Sequence, residues 1–544
     1  RSPPVGTSAK KLKLCDDAQD VEVDASVGYR FINFVTVFNA ISLLVKCKVC
    51  DSDIKFTESS KRGLGFKIVV SCEKCQNAEI PNCPLINNRA YEINRRIIVA
   101  MRLLGIGLNG IIKFCAFMEL PRPIFQSYYD KIIKIVFEAT QSVCKISMEK
   151  AMNVEKEESA RKNFNGLVVS GNGSWRKRGF SSLFGLVSLI GWSTGKVIDI
   201  ITKSSYCKAC ESWAKRCDTA EYSEWLENYK NNCQANHTGS AGKMEVDAVI
   251  EMFRCSESLY DVKYGSYIGD GDSKTFSGLL KSEPYDNLIV QKKECIDHVQ
   301  KRMGTRLRNL KKKVPGLGGK GKLTNKLIDE LAIYYGLAIR RNHESIEKMK
   351  NEIWATLFHK ISTNEKPQHD KCPAGENSWC SWQKAKATNT LDHFSHKAAL
   401  SEEVLNALKP IYEELNSDDL LNRCIGGFTQ NSNGSFNATV WSMAPKSKSS
   451  GKIVLDITVN NFAIPAFNDG ISSLMKVIKA LDMTIGRNCY NFCVETDQHR
   501  VYLLDRSLTE AAKQARIASK STRKEEEELN INLEGQLYGA GIAD

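Results

Sequence analysis

The chain has 544 residues, 42% of them apolar and 26% charged, a composition that supports several domains each with its own core and argues against a single one. Its thirteen prolines are too few for a long disordered scaffold. The net charge of +13 makes a polyanion the first partner to consider, because lysine and arginine release counterions from a phosphate backbone, although a basic protein without a specific acidic partner carries the same surplus.

The opening "RSPPVGTSAKKLKLCDD" lacks the apolar core of a secretory signal. Residues 1–25 read as a tail, in which "AKKLKL" fits a nuclear-import patch or a solvated end. The nineteen cysteines include several close pairs, which without an export signal point to reduced thiols and zinc rather than a disulfide framework. The first such array, over 26–88, is Cys47-x-x-Cys50 and Cys72-x-x-Cys75, with twenty-one residues between the pairs. Each pair puts two thiolates on one side of a tight turn, and two turns complete a tetrahedron around zinc. The strand-like "FKIVVSC" between them predicts a zinc ribbon whose metal is structural.

Over 89–160 apolar residues recur at three- and four-residue steps with breaks at Gly105–Gly110 and at "LPRP", predicting three helices. Arg95, Arg96, Arg102 and Lys113 interrupt the most apolar stretch, so it reads as a buried helical segment and not a membrane span. The pattern fits a helix-turn-helix whose third helix offers Arg122, Gln126, Ser127, Tyr128 and Lys131 to DNA, and equally a small helical packing domain.

From residue 161 the chain turns β-rich: "GLVVSG", "GLVSLIGW" and "KVIDIIT", then a cysteine-rich insertion, a helix "MEVDAVIEMF", and strands "YGSYIG" and "NLIVQKK". This element order predicts an α/β fold with a ribonuclease H-like core, its first part at 161–322. The first strand ends in Gly171-Asn172-Gly173, with Trp175, Arg176, Lys177 and Arg178 beyond. A strand ending on a polar residue between glycines is where metal-dependent phosphoryl-transfer folds place a first carboxylate; here the residue is an asparagine. In the insertion, Cys207, Cys210, Cys233 and His237 have zinc-ligand spacing, with Cys217 as an alternative ligand.

"YIGDGDSKTF" carries Asp270 and Asp272 at the end of a predicted strand, where carboxylates can bridge two hard cations, magnesium or manganese. Beyond it, Cys295 and His298 lie three apart, as a packed pair or a functional one. They precede a helix bearing Lys301, Arg302, Arg306, Arg308, Lys311, Lys312 and Lys313. With the loop "GLGGKGK" following, this helix reads as a phosphate-contacting face. Residues 323–415 predict a helical insertion. Its His359, His369, Cys372 and Cys380 fit either a metal site or a plain turn with buried cysteines. Core elements resume over 416–505, and 506–544 is a charged tail.

Together, "INRRIIVAMRLLGIG", "GSWRKRGF", "GSAGKMEV", "YIGDGDSKTF", "CIDHVQKRMGTRLR", "HDKCPAGENSWC" and "GFTQNSNGSFNATVW" resemble the Mutator-like DNA transposases of animals, over most of the chain. The resemblance implies a ribonuclease H-like domain with an Asp-Asp-Glu triad and a Cys/Asp-x-x-His motif after the second aspartate. It also implies double-stranded transposon ends as the partner, a homo-oligomer that brings two ends together, no membrane association, and a nuclear location. Carried onto this sequence, the second acidic position falls at Asp270, with Asp272 as neighbour or alternate. The Cys-x-x-His pair falls at Cys295 and His298. The first aspartate falls at Asn172 and the glutamate at Gly434, in a stretch whose Thr429, Gln430, Asn431 and Asn433 are expected to line the cleft. Paired divalent cations stay close only when anionic oxygens offset their repulsion. With two of three carboxylates replaced, this copy is expected to cut DNA poorly.

Overall fold

The computed structural model describes residues 21–177, 182–269, 273–319, 321–448, 451–509, 511–512, 514–516 and 518–519. Arg178, Asp270, Asp272, the "AKKLKL" patch and the charge run from Lys520 lie outside them. The fold is mixed α/β, and the chain groups into two units: Arg1–Lys150 with Thr439–Lys448 and Val454–Asp544, and Ala151–Ala438 with Ser449–Ile453.

In the first unit, α1 (Phe34–Ser42) starts at Asn33, whose side chain accepts the Thr36 N–H at 3.0 Å. Strands β1 (Ile54–Arg62) and β2 (Gly65–Cys72) form an antiparallel hairpin with Ile54 opposite Cys72, and β3 (Ala78–Pro81) extends it. The short pair β4 (Leu85–Ile86) and β5 (Ala90–Tyr91) leads into α2 (Glu92–Leu103), α3 (Leu108–Phe117) and α4 (Gln126–Arg161). Gly105 makes the break between α2 and α3. Its φ is +69°, and a Cβ there would lie 2.3 Å from Pro445 Cδ. No single helix among the described residues is long and apolar enough to cross a membrane; α2 and α3 are so only as a pair, and they bend by 111°. Ile98 and Ile111 on them are fully buried.

The proline-primed third helix runs much further than its first turns suggest, through 36 residues, with Lys150 grouped in the first unit and Ala151 in the second. The sequence pattern carries the second unit's last core segment to 505, yet residues from Val454 onward group with the first unit. Bonds such as Arg95 Nη1 to the Leu481 carbonyl at 2.6 Å tie them to α2.

The second unit is built on a five-stranded sheet of order β10-β9-β6-β7-β8. Its members are β6 (Leu167–Trp175), β7 (Phe184–Gly191), β8 (Val197–Ser204), β9 (Tyr264–Gly269) and β10 (Gln291–Glu294). β6, β7 and β8 are antiparallel, whereas β9 runs parallel to β6 and β10 parallel to β9. β10 lies over "QKKE" instead of the preceding apolar "NLIV". Between β8 and β9 come α5 (Lys208–Trp213), α6 (Ala220–Tyr229) and α7 (Ala241–Tyr260).

Strand periodicity assigns the two faces of β6. Leu167 and Val169 enter a core with Val249, Met252 and Phe253 of α7, while Val168 packs with Ile268, Cys295 and Phe428 on the other side. After α8 (Ser273–Lys281), β10 leads into α9 (Ile296–Lys313). Then α10 (Asn325–Arg341), α11 (Ile346–Ile361), α12 (Ser381–Ala387), α13 (Glu402–Leu415) and α14 (Asp418–Cys424) follow. Met303, Tyr335, Ile353, Leu408 and Leu421 share one core there, so α9, α10, α11, α13 and α14 form a helical layer. The chain then returns to the sheet with α15 (Asn431–Met443).

Candidate functional site

The N-terminus of α15 is locked to the sheet by side-chain amides. Gln430 Nε2 donates to the Gly171 carbonyl at 2.7 Å and the Ile268 carbonyl at 3.3 Å, reaching β6 and β9 together. Asn433 Nδ2 donates to the Ser170 carbonyl at 3.0 Å, and the Ser170 hydroxyl donates back to Asn433 Oδ1 at 2.7 Å. Gln430 and Asn433 are buried, where an unmade hydrogen bond is costly, so this amide lock fixes the helix against β6 and β9. Thr429 and Asn431 flank it.

Gly434 follows Asn433 directly and is exposed, and a Cβ placed on it meets nothing within 4 Å. Asn172 is half-buried on β6, opposite Ser188 of β7. The last parallel pair of β6 and β9 is Ser170–Ile268, two residues before Asn172. The structure thus brings the segments of Asn172 and Gly434 together at the middle of β6, which does not end at Gly171-Asn172-Gly173 as expected but stays paired with β7 to Trp175, while Asp270 and Asp272 lie outside the described residues. An amide oxygen at 172 and no side chain at 434 do not fit the donor set of a magnesium or manganese pair.

Sequence reasoning does not single out Glu245. From the first turns of α7 it brings its carboxylate over Gly173, where a Cβ would lie 2.7 Å from Glu245 Oε2, on the α7 side of the sheet and not on the face that Asn172 shares with Ser170 and Asn433. The glycine after Asn172 makes room for that carboxylate. Its only trace in the sequence is the string "GSAGKMEV", which points to no one of its residues.

Cys295 caps α9 and is buried with Val168, Ile268 and Phe428. Burial raises its thiol, but hydrogen bonds with His298, through side chain and backbone, outweigh it and leave the thiol below its usual range. His298 sits in the first turn, its N–H bonded to the Cys295 carbonyl at 3.0 Å.

The cations divide into two groups. Arg302 donates to Glu294 at 2.6 Å, Arg306 pairs with Glu414, and Arg308 pairs with Asp329. Lys311 donates to Asn325 at 3.1 Å. Lys301, Lys312 and Lys313 are exposed on the same helix, as is Lys177 after β6, while Arg176 is half-buried.

Three donor sets converge. In the ribbon, Cys47 and Cys75 sulfurs lie 3.8 Å apart and those of Cys50 and Cys72 3.3 Å apart, with all four within 4.8 Å of one another. These thiols fit a tetrahedral structural metal such as zinc, which they would hold between two turns. Hydrogen bonds from Ser52 bring the Cys50 thiol down to about 6, the direction that favours a thiolate ligand.

In the insertion, Cys207, Cys210 and Cys233 converge without the expected His237. That ring is held elsewhere, with Nδ1 3.4 Å from Asp247 and Nε2 3.3 Å from the Ser240 carbonyl. Tyr229 is the polar neighbour of the cluster, its hydroxyl 3.5 Å from Cys207 Sγ, and Cys217 is exposed. The third set is His359, His369, Cys372 and Cys380.

No curated protein and no solved structure matches the chain. A family model for the Mutator-like transposase matches residues 28–380, a span running from the N-terminal ribbon through the five-stranded sheet to the third donor set. The chain belongs to the Mutator-like transposase family.

Proposed function

We propose that this chain binds double-stranded transposon-end DNA in the nucleus as a homo-oligomer, through a ribonuclease H-like core preceded by a zinc ribbon and a helical DNA-binding domain. Its ancestral chemistry is DNA strand cleavage and transfer with magnesium or manganese, and Asn172 and Gly434 impair it in this copy. The fold reading is supported by three antiparallel strands followed by two parallel ones, with helices packed on the sheet. The observation that carries the site reading is the amide lock: Gln430 and Asn433 hold α15 to the middle of β6 and the end of β9, beside Asn172 and Gly434.

The test is strand cleavage of terminal DNA by the unaltered chain beside Asn172→Asp/Gly434→Glu, in magnesium and in manganese. Cutting by the double variant is expected to exceed that of the parent by at least about a hundredfold, as follows when missing charge stabilisation is restored. Full-rate cutting by the unaltered chain would remove the impairment.

A second reading, a catalytically silent DNA-binding protein, is favoured by the exposed Gly434, which offers no donor at all. It keeps salt-sensitive DNA binding and shows no cutting in either form. Salt-insensitive binding would point instead to a zinc-dependent interaction protein.

A further inference from the structure

The helical layer of the second unit contains a donor set that no step of DNA chemistry uses. His359 lies in the last turn of α11, His369 and Cys372 in the following loop, and Cys380 at the cap of α12. His359 Nδ1 is 3.2 Å from His369 Nδ1. Cys380 Sγ is 3.5 Å from His359 Nδ1 and 3.4 Å from His369 Nδ1, and Cys372 Sγ is 3.7 Å from His369 Nδ1. Two nitrogens and two sulfurs at zinc-bond lengths around one tetrahedral centre stand roughly 3.3–3.8 Å apart. The observed separations fall in that range within about a tenth of an ångström.

The outer hydrogen bonds dictate which nitrogen of His369 is bare. The His396 backbone N–H donates to Asn364 Oδ1 at 2.9 Å, which identifies that atom as the amide oxygen. His396 Nδ1, 2.7 Å from the same oxygen, must then carry a proton. The neutral ring is left with an acceptor at Nε2, 2.9 Å from His369 Nε2. His369 therefore donates from Nε2 and turns the Nδ1 lone pair toward the two sulfurs and the other imidazole. A histidine fixed through its far nitrogen in this way is the arrangement of a metal ligand with an outer partner.

The surroundings exclude a solvent ligand. His369, Cys372 and Cys380 are buried, Trp382 stacks on His369 with ring centres 4.9 Å apart, and Trp379 lies edge-on to His359. The Gln383 N–H donates to Cys380 Sγ at 3.5 Å, a bond suited to a sulfur carrying negative charge.

We propose that His359 Nδ1, His369 Nδ1, Cys372 Sγ and Cys380 Sγ bind one zinc ion in a closed tetrahedral site, with His396 and Asn364 as its outer shell. The ion fastens the segment of residues 362–401, α12 included, to α11, whose opposite side packs in the core of the layer through Met349, Ile353 and Leu357.

The test measures metal in the full-length chain. Cys372→Ser/Cys380→Ser is expected to lose one equivalent of zinc relative to the parent by elemental analysis, while Cys47–Cys75 retain theirs. His369→Cys keeps four ligands, so it is expected to keep the zinc. After exchange to cobalt, its sulfur-to-metal charge-transfer band gains one thiolate's intensity over the parent. An unchanged zinc content in the double serine variant, or a cobalt spectrum of His369→Cys identical to the parent's, overturns the site. If the double serine variant does not fold, the cobalt comparison decides alone.

Discussion

Gly171 and Gly434 stand close in the structure, but a side chain has opposite consequences at the two. A Cβ on Gly171 would lie 2.4 Å from the Tyr267 ring inside the core, whereas one on Gly434 meets open space. Gly171→Ala is therefore expected to lower unfolding stability by about 2 kcal/mol, the cost of overpacking. Gly434→Glu is expected to raise it by about 1 kcal/mol, because a helix former with a negative charge replaces glycine in a first turn. Urea melts of the two variants check both signs. Glu245 belongs to the same scale. Its carboxylate meets Gly173 on the sheet face opposite Asn172, so in the Asn172→Asp/Gly434→Glu background Glu245→Gln is expected to leave the cleavage rate nearly unchanged, and a large loss of cutting would overturn that placement.

Asp199 shows how a single buried carboxyl sets a pH dependence. Burial lifts it to about 7, against hydrogen bonds from the Ile200 N–H and the Tyr264 hydroxyl. The folded protein thus holds the proton more tightly than the unfolded chain does. That stabilisation is full below the ordinary aspartate range near 4 and is lost as pH rises through about 7. Asp199→Asn is expected to flatten this part of the stability profile, raising the melting temperature at pH 8 more than at pH 4. Equal shifts at both pH values would rule the carboxyl out as the cause.

At the scale of elements, Glu294 joins three of them. Its side chain is 1% exposed and faces Arg302 of α9 at 2.6 Å, Arg423 of α14 at 3.4 Å and its strand neighbour Lys292 at 3.5 Å. Removing one partner of a buried ion cluster leaves uncompensated charge, so Glu294→Gln is expected to cost about 3 kcal/mol in a urea melt. Arg308→Ala, which breaks a more exposed pair with Asp329, is expected to cost less than about 1 kcal/mol.

This cluster also marks where the sequence stops being legible. The paired Cys-x-x-Cys turns and the breaks at Gly105 and "LPRP" are local signals, and the elements they predict are found. Ion pairs such as Arg306–Glu414 join residues far apart in the chain, and helical spacing says nothing of them. His237 departs from its expected role for the same reason: its spacing suits zinc, but Asp247 of α7 competes for its ring. Gln430 and Asn433 are expected in the cleft through the family resemblance alone, and their bonds to Ser170, Gly171 and Ile268 depend on the assembled sheet.

For the whole molecule, the surplus of +13 matters only through the cations that remain available to meet phosphate. The basic helix α9 looks uniform in sequence, yet Arg302, Arg306 and Arg308 face carboxylates while Lys301, Lys312 and Lys313 are exposed. If this helix tracks DNA, the lysines supply the counterion release and the arginines hold the layer together. Each phosphate that the protein no longer neutralises should reduce the slope of log affinity against log salt by about 0.9. Replacing Lys301, Lys312 and Lys313 with alanine is therefore expected to lower the slope by up to about 2.7 and to leave the melting temperature nearly unchanged. Replacing Arg302, Arg306 and Arg308 should do the reverse, lowering the melting temperature while preserving most of the slope. Should the arginine variant instead lose the salt dependence, the ion pairs must open on DNA, and the division of labour along α9 would be inverted.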